Sequence, residues 1–122
     1  MNQNKKDILG EKSYKFAIRV VNLYKLLTND RQEYVLSKQV LRSGSAIGAL
    51  VRESKNAESK ADFIHKLGIA QKECDETMYW LELVCDTKFI SKAEYQSMGS
   101  DAAELLKIIK SSILTVKKSL NS

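Results

Sequence analysis

A run of small residues in the middle of the chain constrains the fold more than any other feature. Six of the seven residues from Ser43 to Ala49 are glycine, alanine or serine, and two of them are glycine, although the surrounding sequence has a helical pattern. Glycine inside a helix costs about 0.5–1 kcal/mol relative to alanine. The run therefore needs a compensating interaction, and close packing against another helix or another copy of the chain would provide it.

The composition favours long helices in one globular domain. The chain has 122 residues, no proline, five glycines, 43% hydrophobic residues and 29% charged residues. This length allows a hydrophobic core without disulfides or a structural metal. No apolar run approaches the ~18 residues of a membrane span, and the first seven residues are polar. We therefore expect a cytoplasmic protein that does not associate with a membrane.

Four amphipathic stretches follow one another along the chain. Apolar residues recur at the three-to-four-residue spacing of helices over residues 10–27, 32–55, 59–87 and 91–120. Short polar connections make consecutive helices antiparallel neighbours. We therefore predict an all-α fold, an antiparallel up-down-up-down four-helix bundle that forms a single domain over residues 1–122.

Polar residues at the predicted helix starts follow the pattern of an N-cap with an acidic residue three positions later. The clearest case precedes the fourth helix, where Ile90 and Tyr95 also occupy the positions of a hydrophobic staple. The three predicted pairs are Asp30 with Glu33, Ser59 with Asp62, and Ser91 with Glu94.

Two finer predictions concern the outer helices. The stretch from Met98 to Asp101 contains Gly99 and predicts a kink or restart in the fourth helix. The buried stripe of the first helix is predicted at Ala17, Val20, Val21, Tyr24 and Leu27.

The net charge of +5 is unevenly distributed. Residues 61–90 carry three basic and six acidic side chains, whereas residues 1–60 carry twelve basic and six acidic ones. Such asymmetry serves either nucleic-acid binding or assembly between unlike faces of two copies. The candidate phosphate-binding residues form two basic stripes, Lys12, Lys15 and Arg19 on the first helix and Lys107, Lys110, Lys117 and Lys118 on the fourth.

The two cysteines do not form a recognisable metal or redox motif. Cys74 and Cys85 are eleven residues apart on one predicted helix, about 16 Å along its axis, which is too far for a disulfide. We interpret both as buried, reduced thiols.

A set of fixed spacings runs through the second and third helices. The stretch LRSGSAIGALVRESKNAESKADFIHKLGIAQKECDETMYWLELV resembles the bacterial four-helix-bundle proteins related to the 23S rRNA-intervening-sequence proteins. The chain departs from the family pattern at Ala46, Leu50 and Ser54. The residues that carry the resemblance are Arg42, Gly44, Ser45, Ile47, Gly48, Ala49, Glu53, Asp62, Phe63, Ala70, Glu73, Glu76, Trp80 and Leu81.

The resemblance implies a four-helix bundle that assembles into a ring-like homo-oligomer, which we take to be a pentamer. A similar fold and assembly occur in the accessory proteins of diversity-generating retroelements, which bind nucleic acid and a reverse transcriptase. The resemblance implies no enzymatic reaction and no cofactor. It suggests RNA, DNA or a reverse transcriptase as partners besides further copies of the chain.

Three carboxylates are the residues to consider for a metal site. Glu73 and Glu76 share a helical face, and Glu53 could meet them across an antiparallel pair. Di-metal sites in helical bundles use Glu-x-x-His motifs from two helices, but this chain has a single histidine, His65. We therefore favour a structural interpretation, in which Arg42 or Arg52 pairs with these acids, and we predict neither a metal site nor catalytic residues.

Two functional hypotheses remain open. A homo-oligomer would multiply the net charge, to about +25 for five copies, and favour sequence-tolerant binding to nucleic-acid phosphates. Alternatively, the chain is a protein-interaction scaffold in which the acidic third helix of one copy meets a basic helix of the next. A carboxylate metal-site enzyme is a distant third.

Overall fold

The computed structural model describes residues 7–120, which fold into four helices. These are α1, Ile8–Lys25; α2, Leu36–Ser54; α3, Lys60–Asp86; and α4, Lys92–Leu120, and a π-helical turn over Leu26–Asp30 continues α1. Each helix packs against the next one in sequence, and α4 closes the bundle against α1. No strand occurs within this part of the chain. The prediction of an all-α, up-down-up-down four-helix bundle is confirmed.

The starts of α3 and α4 follow the predicted capping patterns. The Ser59 hydroxyl accepts a hydrogen bond from the Asp62 amide at 3.0 Å. The Ser91 hydroxyl accepts from the Glu94 amide at 3.0 Å, and the Glu94 carboxylate accepts from the Ser91 amide at 2.7 Å. Both helices therefore begin where a side chain satisfies an otherwise unpaired backbone N–H group.

The start of α2 differs from the prediction. Helical backbone continues past residue 27 through the π-helical turn, and α2 begins at Leu36, so Asp30 is not its N-cap. Gln32 adopts a φ of 54°, which reverses the chain between the two elements. The buried Glu33 carboxylate accepts hydrogen bonds from the amides of Val35, Leu36 and Ser37 at 3.0, 3.1 and 2.6 Å. A negative charge at a helix N-terminus is also favourable to the helix dipole.

The core is a single cluster of apolar side chains from all four helices. The buried stripe of α1 consists of Ser13, Phe16, Val20 and Leu23, and Leu27 continues it. The predicted stripe was wrong at Val21, which is 37% exposed, because it was rotated relative to the direction in which α1 packs. Core residues from the other helices include Val40, Ile47, Val51, Leu67, Cys74, Leu81, Leu105 and Ile109.

The small-residue run lies where α2 crosses α1. A Cβ atom added at Gly44 would lie 2.6 Å from Cγ2 of Val20, and one at Gly48 would lie 3.2 Å from the Ser13 carbonyl oxygen. The two glycines thus allow the helices to approach closely, and the helix-propensity cost is offset by packing within the chain. A neighbouring copy is not needed to explain either glycine.

The fourth helix is continuous and longer than the core that it covers. It runs through Gly99 without a break, so the predicted kink is wrong. Its last buried residue is Ile109, and none of residues 110–120 is buried. We call residues 110–120 the C-terminal arm of α4. The polar segment before Asp7, considered in the sequence analysis, lies outside the described residues.

Candidate nucleic-acid interface

The four lysines of α4 lie on the outer face of its second half. All are exposed, and the first and last are eleven residues apart, about 16 Å along the helix. We call this set, Lys107, Lys110, Lys117 and Lys118, the lysine stripe. Within residues 7–120 none of these lysines pairs with an acidic side chain. The predicted position of the stripe on an outer face is confirmed, whereas its binding role stays a prediction.

All three acidic residues of α4 precede the lysine stripe in the sequence, and each forms an ion pair. Glu94 pairs with Arg31 at 3.1 Å, Asp101 with Arg19 at 2.5 Å, and Glu104 with Lys12 at 3.1 Å. From residue 105 to residue 120 the helix has four lysines and no acidic residue. This separation places uncompensated positive charge on the second half of α4.

A further lysine, Lys60 at the start of α3, lies close to the end of α4. The Lys60 ammonium donates a hydrogen bond to the Ser119 hydroxyl, which places it at the last turn of α4. Because α3 and α4 are antiparallel, the first residue of one helix lies next to the last turn of the other. The sequence analysis missed Lys60 because 59 residues separate it from Ser119. Only the register of the helix pair could have revealed it.

Two of the three residues in the predicted basic stripe of α1 form ion pairs with acids of α4. Lys12 and Arg19 cross to α4, and Arg19 also donates to the Ser97 hydroxyl at 2.9 Å. Lys15 is exposed. The Lys12–Glu104 and Arg19–Asp101 pairs are exposed by about half, and such pairs contribute roughly 0–1 kcal/mol. Their main consequence is that α1 presents less free positive charge than its sequence suggests.

Arg42 of α2 forms one cluster with Glu73 and Glu76 of α3 on the surface of that helix pair. The Arg42 guanidinium contacts Glu73 at 3.4 Å and also pairs closely with Glu76. The Trp80 indole N–H donates to the same Glu76 oxygen at 3.1 Å. This hydrogen bond, followed by the nearby Arg42 charge, lowers the pKa of Glu76 below its ordinary value. The structural interpretation of Glu73 and Glu76 is therefore supported by their contacts.

Glu53 does not belong to this cluster. It lies near the end of α2 and pairs with Lys66 at 3.3 Å, eleven residues along the helix from Arg42. The prediction that Glu53 meets Glu73 and Glu76 is wrong, because the antiparallel register brings the end of α2 to the start of α3. Arg52 likewise makes no contact with these acids, and its guanidinium carbon lies 5.6 Å from the centroid of the Tyr14 ring.

A groove runs between α1 and α2 on the outside of their close contact. It has a volume of about 670 Å³, and Gly48, Ser45, Ala49 and Ala17 form much of its floor. Its charged lining comprises Arg52 and Lys55 together with Asp7, Glu11 and Glu53. With more acidic than basic side chains, this groove is a poor site for a phosphate chain.

The side chains that could bind a metal or act as nucleophiles are dispersed. Within residues 7–120, no three His, Cys, Asp or Glu side chains are grouped so that they could hold a metal ion. His65 is exposed on α3. Burial raises the pKa of the Cys74 thiol to about 11, and its Sγ donates to the Ala102 carbonyl at 3.1 Å. Cys74 is therefore a protonated core residue at neutral pH, and Cys85 is half-buried and also free.

The remaining charged contact of note joins the two chain reversals at one end of the bundle. Arg31 contacts both Glu94 carboxylate oxygens at 3.1 Å and donates to the Phe89 carbonyl at 2.6 Å. The hydrogen bond from Arg31 is the largest cause that lowers the pKa of Glu94.

No helix in the described part of the chain is both long and apolar enough to cross a membrane.

Comparisons with known proteins agree with this architecture. The chain matches the model of the 23S rRNA-intervening sequence protein family over residues 5–111. The crystal structure of a protein of unknown function from the S23 ribosomal protein family of Bacteroides thetaiotaomicron is similar, with a TM-score of 0.85. The two sequences are 51% identical, and the match covers 86% of this chain and 97% of that one. No curated protein matches the chain significantly. From the extent of the family match, the chain belongs to the 23S rRNA-intervening sequence protein family.

Proposed function

We propose that this protein is a non-enzymatic, homo-oligomeric accessory protein that binds the phosphate backbone of RNA or DNA. The lysine stripe of α4, extended by Lys60, is the binding surface. The observation that carries the proposal is the run of four exposed lysines without any acidic residue over residues 105–120. Lysine ammonium groups at the end of flexible stems bind phosphates as point charges, so recognition would be independent of base sequence.

The pattern of ion pairing supports this surface over the others. Three of the positive charges on α1 and α2, those of Lys12, Arg19 and Arg42, are engaged by acids of neighbouring helices. The lysines of the second half of α4 have no such acid within residues 7–120. Phosphate groups could therefore approach the stripe without displacing an internal partner.

Assembly into an oligomer would allow individually weak phosphate contacts to give tight binding to nucleic acid. A protomer with about five phosphate contacts has a modest affinity, and backbone binding alone gives Kd values on the order of 10⁻⁴–10⁻⁶ M at physiological salt. Several copies in one particle raise the effective concentration of the next stripe once the first is bound. Mass measurement in solution tests this part, and a monomer at micromolar concentration would contradict it.

The direct test is titration of labelled RNA and DNA at 20–200 mM salt. We expect binding at low salt that weakens steeply as salt rises, with a slope of about −0.9 per phosphate contact on a duplex. The double variant Lys110→Glu, Lys117→Glu should abolish most of the binding and flatten this dependence. Lys25→Glu, Lys38→Glu is the matched control, since both of its lysines are exposed but lie outside the stripe. Absence of binding at low salt would refute the proposal.

A scaffold without nucleic acid is the second candidate, and one observation favours it. Residues 75–101 carry six acidic and two basic side chains, whereas residues 105–120 carry four basic and none acidic. The acidic surface of one copy could therefore cover the lysine stripe of the next. In that case charge reversal in the stripe would change the oligomer mass, and titration with RNA or DNA would show no binding to the intact assembly.

A further inference from the structure

The shape of the lysine stripe distinguishes between kinds of nucleic acid. Proteins that bind single strands combine a positively charged groove with aromatic side chains on which the bases stack. The stripe lies on the convex outer face of one helix, and residues 105–120 contain no phenylalanine, tyrosine or tryptophan. A single strand would therefore find charge there but no surface for its bases.

Two grooves of the described structure lie away from the stripe. The larger one is between α1 and α2, and a second one of about 480 Å³ lies between α1 and the first half of α4. Neither is lined by a lysine of the stripe. The most exposed tyrosines, Tyr14, Tyr34 and Tyr79, belong to α1, the connection after it, and α3. Charge and aromatic surface are thus separated in this protein.

The spacing of the lysines suits a double helix. A duplex carries one negative charge per about 1.7 Å of its axis, twice the density of one of its strands. Four lysines spread over about 16 Å of a continuous helix form a stiff row that can contact phosphates of a stiff partner, and Lys60 adds a charge at the last turn of the same helix. A flexible single strand must instead lose conformational freedom to follow the row.

We infer that the lysine stripe, together with Lys60, binds double-helical RNA or DNA in preference to single strands. This inference rests on the proposed function. For five contacts, counterion release predicts salt slopes of about −4.5 for a duplex and −3.5 for a single strand. For affinities that are equal at 1 M salt, this difference corresponds to about tenfold tighter binding of the duplex at 0.1 M salt.

The test compares a 20-base-pair duplex with an unstructured 40-nucleotide single strand, which carry similar numbers of phosphates. Fluorescence anisotropy of the full-length protein at several salt concentrations gives both affinities and slopes. We expect the duplex to bind about tenfold more tightly at 0.1 M salt. Equal or tighter binding of the single strand would overturn the inference but not the proposed function. Binding to neither at 20 mM salt would overturn the proposed function itself.

Four single substitutions localise the effect. Lys60→Gln should lower the duplex salt slope by about 1, as Lys117→Gln should, whereas Lys25→Gln should leave it unchanged. An unchanged slope for Lys60→Gln would remove Lys60 from the site. Tyr14→Ala tests the exposed ring of the α1–α2 groove, and we expect it to leave the ratio of duplex to single-strand affinity unchanged. A loss of single-strand binding in that variant would show that stacking contributes and would contradict the inference.

Discussion

Helix α2 and the C-terminal arm of α4 differ in how much they contact the rest of the molecule: α2 is packed and paired, whereas the arm is not buried. Several polar groups and both glycines of α2 have partners within the chain. The Glu33 carboxylate caps its start, Gly44 and Gly48 pack against α1, and Arg42 pairs with Glu73 of α3. The arm buries none of its residues, and its lysines pair with no acid of residues 7–120. The unusual residues of α2 thus pack or pair within the chain, whereas the lysines of the arm remain exposed.

The contrast also bears on the extent of the family match. The family match ends at residue 111, so it includes all of α2. Two of the four lysines of the stripe, Lys117 and Lys118, lie beyond that boundary. The close helix contact therefore belongs to the part covered by the family match, while half of the lysine stripe lies outside it.

The largest expected effect comes from filling the contact between α1 and α2. Gly44→Leu should lower the free energy of unfolding by about 3 kcal/mol, because even a Cβ atom would overlap with Val20 and the remaining atoms have no space. Denaturant unfolding measures this change. Gly68→Ala is the control: no atom lies within 4 Å of its added Cβ, so higher helix propensity should stabilise the protein by up to about 1 kcal/mol. Similar stabilities for both variants would show that α2 is not tightly packed at Gly44.

A smaller effect is expected at the start of α2. Glu33→Ala should cost about 1–2 kcal/mol, because three backbone N–H groups lose their acceptor. Asp30→Ala should have almost no effect, since this residue is exposed and does not cap α2. The same unfolding measurement compares the two variants, and a larger loss for Asp30→Ala would restore the cap that the sequence pattern predicts.

The smallest effect on stability is expected in the arm. A chain that ends at Thr115 should unfold with a free energy within about 1 kcal/mol of the full-length value, because it loses no buried residue. It also loses Lys117 and Lys118, so its salt slope for duplex binding should fall by about 2. A large loss of stability would mean that the arm belongs to the core, and the contrast with α2 would then disappear.

Local patterns predicted the fold well because they act over a few residues. The apolar spacing located four helices, and the Ser91–Glu94 capping box began the fourth at the predicted place. The prediction for the start of α2 failed because Asp30 and Glu33 have the spacing of a capping pattern although Asp30 does not cap α2. In the folded chain the preceding helix instead continues to Asp30, and the Glu33 carboxylate turns toward the amides that follow it.

The candidate site was predictable only in part. The four lysines of α4 share a face because of helical periodicity alone, so their stripe could be read from the sequence. The partners of Lys12, Arg19 and Glu53 depend on which residues of other helices lie at the same level of the bundle. The sequence pattern therefore did not reveal the acids that pair with Lys12 and Arg19, and it gave the wrong neighbours for Glu53. Lys60 was missed for the same reason.

The sequence by itself determined the helices, their antiparallel order and the need for a close contact at the small-residue run. These follow from backbone propensity, connection length and the conformational-entropy cost of glycine in a helix, which are local quantities. Only the tertiary structure decided that this contact is made by α1 of the same chain, through Val20 and Ser13. It also decided which charges neutralise one another and which remain on the surface, because the register between helices sets those distances.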